Sequence, residues 1–592
     1  MPPAPIVAAV PPIVLCTLNA RYIHASLGLR YLLANMARHG GQDLRDATLL
    51  REYTLARPVA EVVEDLLEAL VSTATCANPP ENQGDSEFCA GKGGDRAAGG
   101  GHEAKLTAAL IPSDHTRPIV GFGVYIWNVV QTTEVVRQLK LHRPDVRVVL
   151  GGPEVSHELE GQAIVALADH VITGWGDVSF PKLCRALVHG PRPLMKVIPG
   201  EQAPLDQIVL PYAEFSDKDL AHRLLYVEAS RGCPFKCEFC LSALDKTAWA
   251  FDEEAFMAAL DTLVQRGARN FKFVDRTFNL KIDASVRILQ FFLAQMAAHP
   301  EGEFFLHFEV VPDHLPDRLK DAIAMFPPGV LQFEIGIQSF DVDVQQRISR
   351  RQDNTKTQAN LRWLLDHSQA HLHTDLIFGL PGESWATFAK GFDALYAIGP
   401  HEIQLGVLKR LRGTPLAQRS LSGAVPEHGM VYDASPPYTV QHNDAVSAQE
   451  VQDFIRLTRY WDLIANSGRF AATMLLVMQG GAVVSPFAAF ADLAQWLWAT
   501  GPTTAGKTSG ISPEDLVDAL FAYLTQVRGL SEAQVRHALV ADYVSSGARA
   551  NPSALQGYLP LRDAPQAGGR RGLAQRQERH ADGKSHASLS VS

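Results

Sequence analysis

Six short apolar runs recur between residues 224 and 408, most of them separated by a helical pattern, and this rhythm admits few folds. They fall at 224–228, 270–274, 304–310, 331–337, 372–378 and 402–408. Strands that alternate with helices pair in parallel, because each crossover returns the chain to the same end of the sheet. The six βα units therefore predict a parallel partial (β/α)6 barrel over 223–440. The clearest intervening helix has Asp252 as N-cap, Phe256, Leu260, Leu263 and Val264 on one face, and Gly267 as terminator.

The loop after the first run reads Cys233-Pro234-Phe235-Lys236-Cys237-Glu238-Phe239-Cys240. Thiolates are soft ligands, suited to iron-sulfur clusters or zinc. Three of them on one loop hold three corners of a cubane and leave its fourth iron open to a chelating substrate. Structural zinc needs a fourth ligand, and no cysteine follows Cys240. In a βα barrel, chemistry sits at the C-terminal ends of the strands, where this loop falls.

This C-x3-C-x2-C pattern, with an aromatic before its last cysteine, resembles the radical S-adenosylmethionine (SAM) enzymes. The resemblance implies a [4Fe-4S] cluster on Cys233, Cys237 and Cys240. It implies SAM chelated at the open iron and reductively cleaved to a 5′-deoxyadenosyl radical, with an electron donor such as flavodoxin or ferredoxin as partner. Several strand ends are similar to the members that include oxygen-independent coproporphyrinogen oxidase and the methylthiotransferases. Glu309, in His307-Phe308-Glu309-Val310, resembles the third-strand acid that contacts SAM. Gln338, in Gly336-Ile337-Gln338-Ser339, resembles the glutamine that reaches the SAM ribose or amino-acid portion. Arg350 resembles the arginine that pairs with the SAM carboxylate, a role its neighbour Arg351 could also fill. Asp375 opens a D-x-I-x-G-x-P-G-E segment near the ribose, and Phe239 packs on the adenine or shields the cluster. The second strand lacks the family's G-G-E segment, and Asp275 stands in its place.

The first 190 residues show a second alternation, with strands expected at 12–17, 47–53, 118–126, 146–150 and 170–173. It predicts a doubly wound, Rossmann-like α/β domain over 10–190. Ser26 caps a helix that buries Leu27, Tyr31 and Leu32 and ends at Gly40-Gly41. Residues 73–117, rich in glycine and without apolar periodicity, read as a flexible insertion. An α/β domain ahead of such a barrel resembles the cobalamin-binding radical SAM proteins. Gly151-Gly152-Pro153 is similar to their G-G-P-H-type loop, and Gly174-Trp175-Gly176-Asp177 to their G-E-G-E turn. Cobalamin is the implied cofactor, on Gly151, Gly152, Gly174 and Gly176. The D-x-H-x-x-G loop of other cobalamin proteins is absent; His24 lies in a related stretch without its aspartate.

Residues 191–222 read as a linker, 447–560 as a helical C-terminal domain and 565–592 as a disordered tail. A net charge of −10 argues against a broad nucleic-acid surface. No stretch reads as a membrane span or signal peptide. Seven cysteines, three of them clustered, fit a reducing cytoplasm better than a disulfide framework. The expected activity is a radical SAM reaction, with cobalamin-dependent methyl transfer to an unactivated centre foremost. Two alternatives stay open: rearrangement or oxidation with the first domain as scaffold, and a non-enzymatic cobalamin or redox sensor. No catalytic side chain is identifiable from the sequence, and the substrate is not legible in it.

Overall fold

A computed structural model describes residues 10–75, 116–421, 427–478, 485–548, 550–559 and 580. The expected insertion and the expected tail lie almost wholly outside them. The chain divides into two compact units, one of Met1–Tyr22 with Ser26–Glu214, the other of Ile23–Ala25 with Phe215–Ser592.

The first unit holds β1 (Ile13–Asn19), β2 (Thr48–Thr54), β3 (Ile119–Gly123), β4 (Arg147–Gly151), β5 (His170–Thr173) and β6 (Val197–Pro199). All are parallel, in the order β2-β1-β3-β4-β5-β6. The run from Ile13 to Leu18 is buried because helices cover both faces of a parallel sheet. Strand order reverses at β1 and β3, and such folds bind ligands outside the strand ends at that point. Here the seam is tied by polar side chains. Thr17 Oγ1 donates to Gly123 O at 2.9 Å, and Asn128 Nδ2 donates to Leu18 O and Gly123 O, each at 3.1 Å. The helix Leu27–His39 begins where expected, with Ser26 Oγ accepting from Leu29 N. Inside the stretch read as a linker, β6 adds an edge strand; its three residues are too few to show a pattern.

The second unit holds β7 (Leu225–Val227), β8 (Asn270–Phe273), β9 (Phe305–Val310), β10 (Leu331–Gln338), β11 (His371–Phe378) and β12 (Glu402–Val407). Each pairs in parallel with the next, giving an open barrel in chain order. Side chains alternate with period two, and the sequence uses both faces. Phe271, Phe273, Phe308, Phe333 and Ile335 are buried; Phe271 and Phe273 meet Phe292 of the helix Ile282–Ala298. The alternate positions Lys272, His307, Glu309, Glu334, Gly336, Gln338, His373 and Asp375 are polar or bare, and they fall on the opposite face. That polar face is what the barrel offers to a ligand.

The helical C-terminal region begins with Ala448–Ile464, capped by Ser447. Phe454 stacks on Phe378 with centroids 4.2 Å apart, and Trp461 Nε1 donates to Ile403 O at 2.7 Å. These contacts place the helices in the same compact unit as the barrel rather than in a body of their own. Among the described residues no helix is long and apolar enough to cross a membrane.

Candidate active site

The cysteine loop leaves the barrel directly after β7 and is fastened at several points. Cys233 N donates to Asp245 O at 3.0 Å, and Cys240 N to Cys237 O at 3.1 Å. Glu238 N donates to Ile348 O and Glu238 O accepts from Leu416 N, both at 3.0 Å. The Glu238 carboxylate accepts from Ser349 Oγ at 2.8 Å and pairs with Arg419. Cys233 and Cys237 are buried, Cys240 is half-buried, and all three thiols are free. Burial pushes the Cys233 and Cys237 thiols up, while the Arg350 guanidinium opposes this at Cys237.

The three thiols open onto a cavity of about 370 Å³ at the C-terminal ends of the strands. Of the expected site residues, Phe239, Glu309, Gln338, Arg350 and Asp375 line it together with Cys233, Cys237 and Cys240. Asp275 does not. Its carboxylate accepts from Ala229 N at 3.0 Å and from Ser230 Oγ at 2.5 Å, so it holds the start of the cysteine loop. Burial lifts its pKa to about 6. The next residue, Arg276, lines the cavity instead, with Nη1 on Glu309 Oε1 at 2.7 Å. Sequence reasoning missed Arg276 because the resemblance offered only an acid at that strand end.

On the cavity wall, Glu334 Oε2 meets Lys272 Nζ and His307 Nε2, each at 2.9 Å. Burial opposes its charge, yet the His307 hydrogen bond and the Lys272 ammonium hold Glu334 well below the usual carboxylate range. Asp375 faces the opposite situation. Burial, then the Glu334 and Glu309 charges, push it well above that range. Glu309 is raised by burial against the pull of Arg276.

Arg350 is aimed by three contacts. Its Nε donates to Gln352 Oε1 at 3.0 Å, Nη2 donates to Gly336 O, and Nη1 stands 3.8 Å from Cys237 Sγ. Gln338 has φ +68°, a left-handed backbone costly for a side chain of its kind. Its Oε1 is buried with no hydrogen-bond partner among the described residues. An orphaned acceptor in the wall of the cavity matches a ligand rich in hydroxyl and amine donors, which SAM is. The thiols fit a cluster by a different criterion. Among the described residues no trio of His, Cys, Asp or Glu closes around a single ion. Cubane thiolates each bind a separate iron and need no common point.

The Gly336–Ser339 and Asp375–Glu383 segments are joined by Ser339 Oγ, which donates to Glu383 Oε1. Glu383 Oε2 has no partner among the described residues, and burial lifts the carboxyl to about 8 from an ordinary 4.5. The folded chain therefore holds this proton more tightly than the unfolded chain. The associated stability is full below the unfolded value and is lost as pH rises through 8. The unfolding free energy of Glu383→Gln should fall less between about pH 5 and pH 8 than that of the parent, by on the order of a few kcal/mol. Identical pH slopes would refute this.

In the first unit the four glycines differ. Gly152 has φ +109°, and a Cβ there would collide with Val124 O, so the chain's own packing demands it. Gly151 is loosely surrounded. Gly174 has φ +74° and open space where a Cβ would stand. A Cβ on Gly176 would meet Leu32 Cδ2 at 3.1 Å. On the loop after β3, Trp127 is 50% exposed and stacks on Tyr125 at 4.5 Å. Open backbone at the end of β5 and the exposed Trp127, stacked on a half-buried Tyr125 after β3, suit a broad flat ligand such as a corrin. His24 belongs to the second unit. It bridges to Leu224, and its Nδ1 lies 2.6 Å from Tyr226 Oη.

Residues 227–395 match the Radical SAM superfamily, and residues 426–560 match a family described as a protein of unknown function, DUF4080. The cobalamin-dependent radical SAM methyltransferase TokK of Streptomyces tokunonensis is 24% identical over 330 residues, covering 49% of this chain and 47% of TokK. A 2-(S-pantetheinyl)-carbapenam-3-carboxylate methyltransferase of Streptantibioticus cattleyicolor is also 24% identical, with 48% of this chain and 45% of that protein covered. The chain thus spans about half the length of these curated relatives. Among solved structures, the cobalamin-dependent SAM radical enzyme OxsB, with aqua-cobalamin and SAM bound, superposes with a TM-score of 0.54 at 10% identity, over 90% of this chain and 79% of that one. The methyltransferase TsrM of Kitasatospora setae, with cobalamin and a [4Fe-4S] cluster bound, gives 0.50 at 13% identity, covering 90% of this chain and all of that one. At these identities the likeness is one of fold. Residues 227–395 thus match the radical SAM family, and the fold of the chain, an α/β domain ahead of a parallel barrel, is like that of OxsB and TsrM.

Proposed function

We propose that the chain is a cobalamin-dependent radical SAM methyltransferase acting on an unactivated centre in the reducing cytoplasm. The observation that carries this reading is the cavity at the strand ends, where three free thiols, an aimed arginine and an orphaned glutamine acceptor meet. When bound, the cluster and SAM supply one-electron cleavage of SAM, and cobalamin supplies the methyl group. The chain's own residues set the stage for this. Cys233, Cys237 and Cys240 hold three irons, and Arg350 receives the SAM carboxylate in a charge-assisted fork. Gln338 Oε1 would accept from a ribose hydroxyl or the amine, and Asp375 lines the same cavity. Phe239, packed against Leu380, Leu408 and their neighbours, shields this region from water. Flavodoxin or ferredoxin is the expected electron donor. The relatives' names favour methyl transfer over rearrangement, and a lined SAM cavity has no purpose in a simple redox sensor.

The test is anaerobic reconstitution with SAM, cobalamin and a reductant, followed by assay of 5′-deoxyadenosine and S-adenosylhomocysteine. Both products are expected. No D-x-H-x-x-G histidine is available and His24 is engaged with Tyr226, so cobalamin should bind base-off without protein imidazole. The cob(II)alamin electron paramagnetic resonance spectrum should lack nitrogen superhyperfine splitting, and His24→Ala should leave it unchanged. Absence of micromolar affinity for cobalamin would overturn the methyltransferase reading and leave the scaffold alternative.

A further inference from the structure

We propose that the substrate sharing this cavity with SAM carries an oxyanion, a carboxylate or a phosphate, and that Arg351 receives it. The inference rests on the SAM reading and follows from the charges on the cavity wall. Three arginines line it: Arg276, Arg350 and Arg351. Arg276 is ion-paired to Glu309 at 2.7 Å. Arg350 donates to Gln352 and the Gly336 carbonyl and stands by the Cys237 sulfur, and on the SAM reading its remaining N–H groups would meet the single SAM carboxylate. Arg351 makes no hydrogen bond or ion pair with any described residue.

None of the acids on the same wall is paired with Arg351. Glu309 is opposed by Arg276, and Glu334 by Lys272 and His307. Asp313 Oδ2 accepts from Asp353 N at 2.8 Å. Burial and the Glu334 and Glu309 charges raise the pKa of Asp375. Arg351 is exposed, and its placement is set by the turn before it. Ser349 takes a left-handed backbone, φ +53°, and its hydroxyl is held by Glu238 of the cysteine loop. That turn sets Arg350 and Arg351 side by side, one committed to the cluster side and one to the open cavity. A planar guanidinium with free N–H groups selects carboxylate or phosphate by bidentate geometry.

The test uses the reconstituted full chain with SAM bound and two probes, inorganic phosphate and acetate. Arginine modification by phenylglyoxal is mapped by mass spectrometry with each probe and with chloride at equal ionic strength. Arg351 should react faster than Arg350 and Arg276, and at least one probe should protect it beyond chloride. Protection by phosphate alone marks a phosphorylated substrate; protection by acetate as well marks a carboxylate. Calorimetric affinity for the protecting probe should fall by about tenfold or more in Arg351→Met and be partly restored in Arg351→Lys. Protection no better than chloride, or affinity unchanged in Arg351→Met, would overturn the proposal. A parent protein that fails to bind SAM would overturn the earlier reading instead, and equilibrium dialysis of SAM against the same sample separates the two failures.

Discussion

Alanine in place of Cys233, Cys237 or Cys240 is expected to abolish both the iron-sulfur absorbance and the cleavage of SAM, with the fold of the first unit intact. The magnitude follows from the ligand count. A cubane held by three thiolates has no spare protein ligand, so the loss of one leaves two irons open and the cluster prone to fall apart. The site also lacks a substitute, since among the described residues the other free cysteines, Cys16 and Cys184, are buried in the first unit. Metal analysis of the anaerobically purified parent should give roughly four irons and four sulfides per chain. Stoichiometric zinc without iron would end the cluster reading.

Arg350→Ala is expected to weaken SAM binding by about 1.5–3 kcal/mol, the scale of a hydrogen bond to a charged group. Iron content should stay the same, because the three thiols remain. Arg350→Lys should recover only part of the loss, since a point charge cannot replace the fork that spans Gln352, Gly336 and Cys237. Equilibrium binding of SAM to the reconstituted protein measures both variants. Full affinity in the alanine variant would take Arg350 out of the SAM site.

The barrel was legible because its strands alternate one buried apolar residue with one polar residue, a period that survives any detail of packing. Expected run 331–337 and β10 differ by one residue, and Asp252 caps its helix through Ala255 N as its spacing implies. The cysteine loop was legible because ligand chemistry tolerates few residue types. Elsewhere the sequence was silent for physical reasons. Asp275 and Arg276 are adjacent, and only the path of the chain after β8 decides which one enters the cavity. The strand β6 is held by a neighbour's edge rather than by its own pattern. Asn128 stands at the start of a helix, yet its amide makes no cap bond and instead ties β1 to β3. Ile23–Ala25 fall in the second unit, with His24 bridged to Leu224 and bonded to Tyr226, contacts that no local signal announces.

The fastening of Glu238 bears on how the cofactor is loaded. Its amide, its carbonyl and its carboxylate are all engaged, with Ile348, Leu416, Ser349 and Arg419. A loop held this way pays its ordering entropy when the barrel folds, not when iron arrives. Cluster insertion then becomes a late filling of a finished socket, and iron starvation would leave a folded apo-protein ready for rescue rather than a chain marked for degradation.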